Sequence, residues 1–392
     1  MKDYWEEPER KKVNAKKIII SVTIAILVVA VIVLVALYIT NKTFRNWVDI
    51  QVFRKEISQE KVAIIDLDEE QTANVYAFNK YIGILNKNKL SIYGSTGQEE
   101  VVLDVQITNP TFFSANRFLI IGEQKGQKLY LLEDKEIKWE NKLEGNISQV
   151  YVNKNGYVAV IASETSYKSV VQIFDPDGNA LFKKYLSSTM AIDVSISNDN
   201  KYLAIAEVDT SGTIIQSNVR VISIEKTKTD PENSEVNNYK SEQNKLIVSI
   251  KYQDKANIIC MYTDTINLIE NGQETVLFEN KDKKITAQSI NLDNHFTTIQ
   301  EESSGIFSAN SVVSIVNVDT KNTKNYTIET AVKEIYTKGD MIALNLGTEV
   351  EFINTGGWLV KRYVASQEVT NVTVSNSIAG IIYRDKVEII SL

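Results

Sequence analysis

From residue 74 to the C-terminus one pattern returns eight times. A short apolar strand is followed by a polar turn, a nearly continuous apolar run, and further alternating strands with Gly or Asx turns. The apolar runs are Tyr81–Leu85, Arg117–Ile121, Tyr157–Ile161, Tyr202–Ala206, Asn257–Met261, His295–Ile299, Met341–Asn345 and Ile378–Ile382. Repeats of about 35–50 residues, each holding four strands, are the signature of a β-propeller. A single four-stranded sheet with two apolar faces cannot bury both of them. Radial stacking of such sheets can, and it leaves the second strand of each unit covered on both sides. That explains why the second strand reads as a run rather than a strict alternation.

The spacing predicts an all-β domain over residues 60–392. Units start near Asn74, Asn109, Asn146, Met190, Asn244, Lys284, Ala331 and Val369. The count favours eight four-stranded blades; seven is the alternative if one weakly marked unit is an insertion. The last unit supplies only three strands before Leu392, and Lys61–Asp66 is a strand without a unit. Pairing the two closes the ring, with Val62, Ile64 and Leu67 expected to face a neighbouring blade. The stretch Glu225–Gln243 is polar and of mixed charge, and it is expected to be a solvated loop between two outer strands.

Upstream lies the second strong feature. Ile18–Ile39 is 22 residues without a charge, and sixteen of them are Ile, Val or Leu. As a helix it spans roughly 33 Å, enough for a hydrocarbon core of about 30 Å. The run exceeds the usual apolar length of a signal peptide, and Tyr38-Ile39-Thr40-Asn41-Lys42 offers no small-residue cleavage site, so an uncleaved anchor over residues 18–40 is expected. Arg10, Lys11, Lys12, Lys16 and Lys17 crowd the preceding tail of residues 1–17. The fifteen residues after Thr40 carry Lys42, Arg45, Arg54 and Lys55. The excess places the tail in the cytoplasm and the propeller outside. In the connector, residues 41–59, Phe44 and Trp47 are expected either at the membrane interface or packed beneath the propeller.

Composition then limits the chemistry. One Cys and one His in 392 residues exclude a disulfide framework, multi-thiolate metal sites and sites needing two His. Cys260 sits in an apolar run and reads as a core residue; His295 reads as a turn or strand-edge residue. The chain has net charge −7. That charge argues against nucleic acid as a partner; removing the tail's six basic and four acidic residues from 43 and 50 leaves −9 for the remainder, which net charge would not draw to anionic lipid or wall polymer. Asp175-Pro176-Asp177-Gly178-Asn179 has some calcium-loop residues, but its Gly is fourth and Leu186 stands where the twelfth-position Glu is needed, so a hairpin turn is expected. No P-loop, dinucleotide fingerprint or nucleophile elbow is present. Asp193 and Glu334, near presumed innermost strands, are the acids to inspect for a channel site.

Trp47-Val48-Asp49-Ile50-Gln51-Val52-Phe53-Arg54-Lys55 and Tyr81 through Gly97, together with the apolar segment, resemble an uncharacterised family of single-pass membrane β-propellers from Gram-positive anaerobes. The units are more distantly similar to WD-repeat and quinoprotein-like propellers, without the Trp-Asp ending or a repeated Trp docking motif. The resemblance implies fold and location but no activity and no cofactor. The function expected is a membrane-anchored scaffold for a protein or envelope component. The alternatives are a hydrolase- or lactonase-like propeller enzyme using acids at the central channel, and a ligand sensor signalling through the helix. The absence of a catalytic motif favours a non-enzyme.

Overall fold

The computed structural model describes residues 15–41, 44–45, 48, 62–67, 74–242, 244–280, 284–303 and 309–392. The chain divides into two units, Met1–Ser58 and Gln59–Leu392.

Among the described residues of the first unit the long element is the helix Ala15–Thr40. Its segment Val22–Thr40 is apolar and long enough to cross a membrane, and none of it is buried by protein. Near its end Thr40 Oγ1 donates back to Ala36 O at 2.7 Å, and Asn41 N donates to Leu37 O at 2.8 Å. The Asn41 side chain accepts from Phe44 N at 3.0 Å. Phe44 is half-buried. Lys16 and Lys17 lie in the first turn of the helix, while Arg10, Lys11, Lys12 and Trp47 fall outside the described residues.

The second unit is a propeller of eight four-stranded antiparallel sheets. Blade 1 is built from Asn74–Phe78, Tyr81–Asn86, Lys89–Tyr93 and Glu99–Asp104, innermost strand first. Blades 2 to 7 start at Pro110, Asn146, Thr189, Ile247, Ile285 and Glu334, each within three residues of the sequence expectation. The core lies between blades rather than within them. Tyr76, Leu90 and Ile92 of blade 1 pack with Leu119, Ile121 and Leu132 of blade 2, and the same kind of cluster joins blades 4 and 5 through Ala204, Val219, Ile258 and Cys260. Burial of Cys260 pushes its thiol well up, as suits a core residue.

The eighth blade holds Asn371–Val374, Ile378–Ile382 and Lys386–Ser391, completed by Ala63–Asp66 from the other end of the unit. The register runs Ala63↔Ile389 to Asp66↔Lys386. The ring therefore closes with the pairing the sequence predicts. Its facing differs: Ala63, Ile65 and Leu67 pack towards blade 1, Val62 packs towards blade 7, and Ile64 is 57% exposed. Ile64 stands opposite Glu388, on the side where this outer strand meets solvent. A pattern of four apolar residues in six gives no phase, and packing decides it.

The polar stretch Glu225–Gln243 also departs from expectation. Only its first part is a loop, with a 3-10 turn at Lys226–Lys228; Glu235–Lys240 is the outermost strand of blade 4. Val236, at a bulge, and Tyr239 pack inward while the other four residues of the strand face water. An outermost strand has one wet side and one open edge, so two apolar residues suffice and the segment reads as loop.

The turns that join the first and second strands gather at one end of the ring. Several are two-residue hairpins: Asn79-Lys80, Asn116-Arg117 and Gly339-Asp340. Asn79, Asn116 and Gly339 take φ of 47°, 51° and 60°, the left-handed conformation that Asn and Gly tolerate best. Turns of the third and fourth strands sit at the same end. There the Asp175–Asn179 turn closes on itself, with Asp175 Oδ1 accepting from Asp177 N and Asn179 N at 2.9 Å each. Trp139 of blade 2 lies across it and donates from Nε1 to Pro176 O at 3.1 Å. The motif is a turn and a blade-to-blade contact, as expected.

Candidate functional site

The innermost strands and their turns, from all eight blades, line one cavity of about 690 Å³ on the ring axis. Its polar rim is a belt of hydrogen bonds between neighbouring turns. Asn153 Nδ2 donates to Asn200 Oδ1 at 2.6 Å, Asn198 N to Asp254 O at 3.2 Å, Asn294 N to Gln253 Oε1 at 3.0 Å and Asp293 N to Gly339 O at 2.7 Å. The Asn376 amide, oriented by its partners, donates to Lys338 O and Asp340 Oδ1. Ser375 Oγ donates to Asn79 O at 2.7 Å, and Asn79 N to Asn116 O at 3.1 Å. The belt thus runs unbroken from blade 3 through blade 8 to blade 2. The Asn and Gly residues that make tight turns also hold the mouth of the channel in shape.

Below the rim, β-bulges redirect side chains. The innermost strands of blades 3 to 6 skip one residue against their partners, between Ile147 and Gln149, Ala191 and Asp193, Ile247 and Ser249, and Ile285 and Ala287. The residues just after the first three bulges, Gln149, Asp193 and Ser249, line the cavity.

Asp193 is one of the two acids singled out from the sequence, and it reaches the channel wall. Its Oδ2 accepts from Ser249 Oγ at 2.6 Å and Ile250 N at 2.9 Å, across to blade 5, and its Oδ1 accepts from Val194 N at 2.9 Å. Burial raises its pKa, against the pull of these three donors. Its lone pairs are spent on joining two blades. Glu334 does not reach the channel: it is exposed at the start of its strand and accepts from Tyr336 Oη. His295 sits at a turn, with Nδ1 2.8 Å from Asp293 O and Nε2 3.2 Å from Asn317 Nδ2. Among the described residues no three His, Cys, Asp or Glu side chains gather at metal-binding distance.

The groups that dominate the channel are instead two lysines that the sequence pattern did not mark. Lys251 of blade 5 donates from Nζ to Leu292 O at 2.6 Å and Asn291 O at 3.1 Å, and lies 3.5 Å from Asp293 Oδ1. Burial lowers its pKa, while Asp293 pulls it back up. Lys338 of blade 7 crosses the axis: its ammonium donates to Ser114 O of blade 2 and lies 4.8 Å from the centre of the Phe113 ring. Burial first, and then the positive charge of Lys251, bring Lys338 down to about 8. The one sequence signal they share is position, one or two residues before the turn into the second strand. Asp193 and Asp293 are the only acids among five charged lining residues; the others are Lys154, Lys251 and Lys338. The channel is biased towards positive charge in an acidic chain.

Taken together, the closed ring of four-stranded blades and its axial cavity define a β-propeller of the kind that presents loops around a central channel. Residues 53–392 match the family of unknown function DUF5711, and the chain belongs to that family. No curated protein sequence matches it. Among solved structures it is similar to Sqt1 from Chaetomium thermophilum, with a TM-score of 0.53 and 11% identity over 83% of this chain and 97% of that one. It is also similar to BamB from Moraxella catarrhalis, at a TM-score of 0.48 and 14% identity over 84% and 99%. The β-propeller domain of Cps50 (Swd1) from Myceliophteria thermophila matches at a TM-score of 0.44 and 11% identity over 84% and 99%. At such identities the likeness concerns the fold alone.

Proposed function

We propose that this protein is a membrane-anchored scaffold whose propeller lies outside the cytoplasm and docks a protein or envelope component. Docking is carried by one surface. At the end of the ring opposite the hairpin belt, blades 3 and 4 expose Tyr167, Tyr185, Met190, Ile214 and Ile215, each 38–44% accessible. The rings of Tyr167 and Tyr185 lie 4.6 Å apart. Met190 is the second residue of the innermost strand of blade 4, and Ile214 and Ile215 occupy the loop before that blade's third strand. Aromatic, Met and aliphatic side chains left open together on adjacent blades fit the centre of a protein interface. Anchoring is supported by the apolar helix, and orientation by the basic residues before it.

The test is site-specific photocrosslinking in intact cells. A crosslinking residue at Tyr185 or Ile214 is expected to capture the same discrete envelope component, and one at Asn271, in a turn at the opposite end, none. Equal capture at all three positions, or at none, removes the docking face. Capture lost with Tyr185→Ala and Met190→Asp together, at unchanged propeller stability, supports it.

A further inference from the structure

Lys338 is a cation held inside a solvent-connected channel without an acid against it. The two channel acids are already engaged, Asp193 with Ser249 and Ile250, and Asp293 with Lys251. An ammonium has three donors. One of those on Lys338 goes to the Ser114 carbonyl, and among the described residues no carboxylate lies within ion-pairing distance. Charges taken from water ordinarily find a counter-charge or lose their proton. Beside this ammonium the wall is aromatic. Phe113 lies beneath it, with its ring 4.8 Å from that of Tyr151, while Phe112, the neighbouring residue on the strand and so turned to the other side, also lines the cavity, is 46% exposed and packs its ring 4.1 Å from that of Tyr76. A cavity of about 690 Å³ falls in the range of roughly 300–1,000 Å³ that holds small molecules.

We propose that the channel binds a small organic anion, its carboxylate or phosphate seated at the Lys338 ammonium between blades 7 and 2 and its ring or apolar body against Phe112 and Phe113. The anion supplies the close counter-charge that Asp293, which pulls on Lys338 only from beyond ion-pairing distance, does not, and the remaining donors of Lys338 orient its acid group. Lys251 adds positive potential from across the channel; Asp293 and Asp193 set the far limit for an anion by repulsion, and Lys154 lies near the mouth. Loss of the proton from Lys338 removes the attraction, so binding weakens as pH rises past about 8. This site is at the hairpin end and on the axis, apart from the exposed apolar face on blades 3 and 4, and it stands or falls separately from docking there.

The experiment uses the full chain in detergent micelles with phenyl phosphate, benzoate and the neutral benzyl alcohol as probes. Binding is read by calorimetric titration, and occupancy by protection of Lys338 from acetylation, measured by mass spectrometry. Phenyl phosphate or benzoate is expected to bind and protect Lys338, benzyl alcohol to do neither, and the stronger of the two anions tells phosphate from carboxylate. Lys338→Met is expected to weaken the anion at least about tenfold, and Lys338→Arg to retain most of the affinity, because a cation at that position is what the anion needs. Lys226→Met, in an outer loop, serves as the control and should change nothing. A melting curve for each variant separates lost binding from lost fold. Failure of both anions to bind at millimolar concentration, or equal binding to the wild type and a folded Lys338→Met, overturns the site.

Discussion

Lys338 makes the clearest claim at the scale of single residues. In the unfolded chain a lysine titrates near 10.4, whereas in the fold burial brings Lys338 down to about 8. Between these values the unfolded chain binds the proton and the folded one does not. Stability from this group therefore rises with pH across the window, and its cost is fully present below about pH 8. Lys338→Met is expected to raise the melting temperature at pH 7, with the advantage shrinking as pH approaches 10. Lys251, also lowered by burial, is present in both proteins, and relief of its repulsion with Lys338 adds to the advantage of the variant in the same direction. Thermal melts at pH 7, 8.5 and 10 decide the matter; a less stable variant with an unchanged pH slope shows that the bond to Ser114 outweighs the buried charge. Gly97 makes a second claim. It has φ +74°, and a Cβ there would lie 2.2 Å from Ala63 Cβ, whereas Gly272 has φ +80° and open space around it. Both Ala substitutions carry backbone strain of about 1–3 kcal/mol. Gly97→Ala should lose more, since it also pushes on the strand that closes the ring, and paired denaturant titrations measure the difference.

Among elements, the four-residue strand Ala63–Asp66 carries a role out of proportion to its length, because it gives Lys386–Ser391 its only outer partner. Ile65 packs towards blade 1 while Ile64 is exposed. Ile65→Asp is expected to lower the melting temperature clearly, and Ile64→Asp to change stability by no more than about 0.5 kcal/mol. Deleting Ala63–Asp66 with the helix retained should open the edge of blade 8, broaden the melt and raise binding of a dye for apolar surface. A deletion that melts like the parent would mean that closure adds nothing. The outermost strand of blade 4 is a second such element. Its polar sequence conceals it, yet five register pairs with the third strand, from Asn218↔Lys240 to Ile222↔Glu235, hold it in place. A nearby carboxylate cluster shows how polar residues are spent here: Arg220 binds Glu207, which is fully buried, at 2.5 Å and also reaches Glu235. Glu207 is buried with its partner already in place, the condition under which such burial is tolerated.

At the scale of the whole molecule, the proposed anchoring predicts which side of a membrane the ring occupies. With the proposed orientation, protease added to intact cells stripped of their wall reaches the outer loop at residues 224–234 and spares residues 1–17. The paired strand Glu235–Lys240 just after the loop should resist. Cleavage of the loop only after permeabilisation would reverse the orientation, and mass spectrometry of the fragments reads both outcomes.

The local grammar of strand and turn was sufficient to declare much of this architecture. Runs such as residues 158–162 are buried on both faces and are apolar throughout; several two-residue turns place Asn or Gly at positive φ; the uncharged stretch Ile18–Ile39 lies within a single helix. Closure was legible too, because one unit lacked a strand and one strand lacked a unit. These features are written in neighbouring residues, and short-range sterics and burial make each of them nearly obligatory. Other features were decided only when the ring closed. Ile64 and Ile65 are equally apolar, and the blade they meet selects which is buried. Lys338 meets Ser114, 224 positions away, because blades 7 and 2, three steps apart around the ring, both border the channel. Asp193 points to blade 5 after a bulge, while Glu334, which looked equivalent, stays outside at the start of its strand. A channel is assembled from one strand of every blade, so the company each side chain keeps there depends on register, bulges and curvature summed around the circle. None of these quantities is carried by a local stretch of sequence.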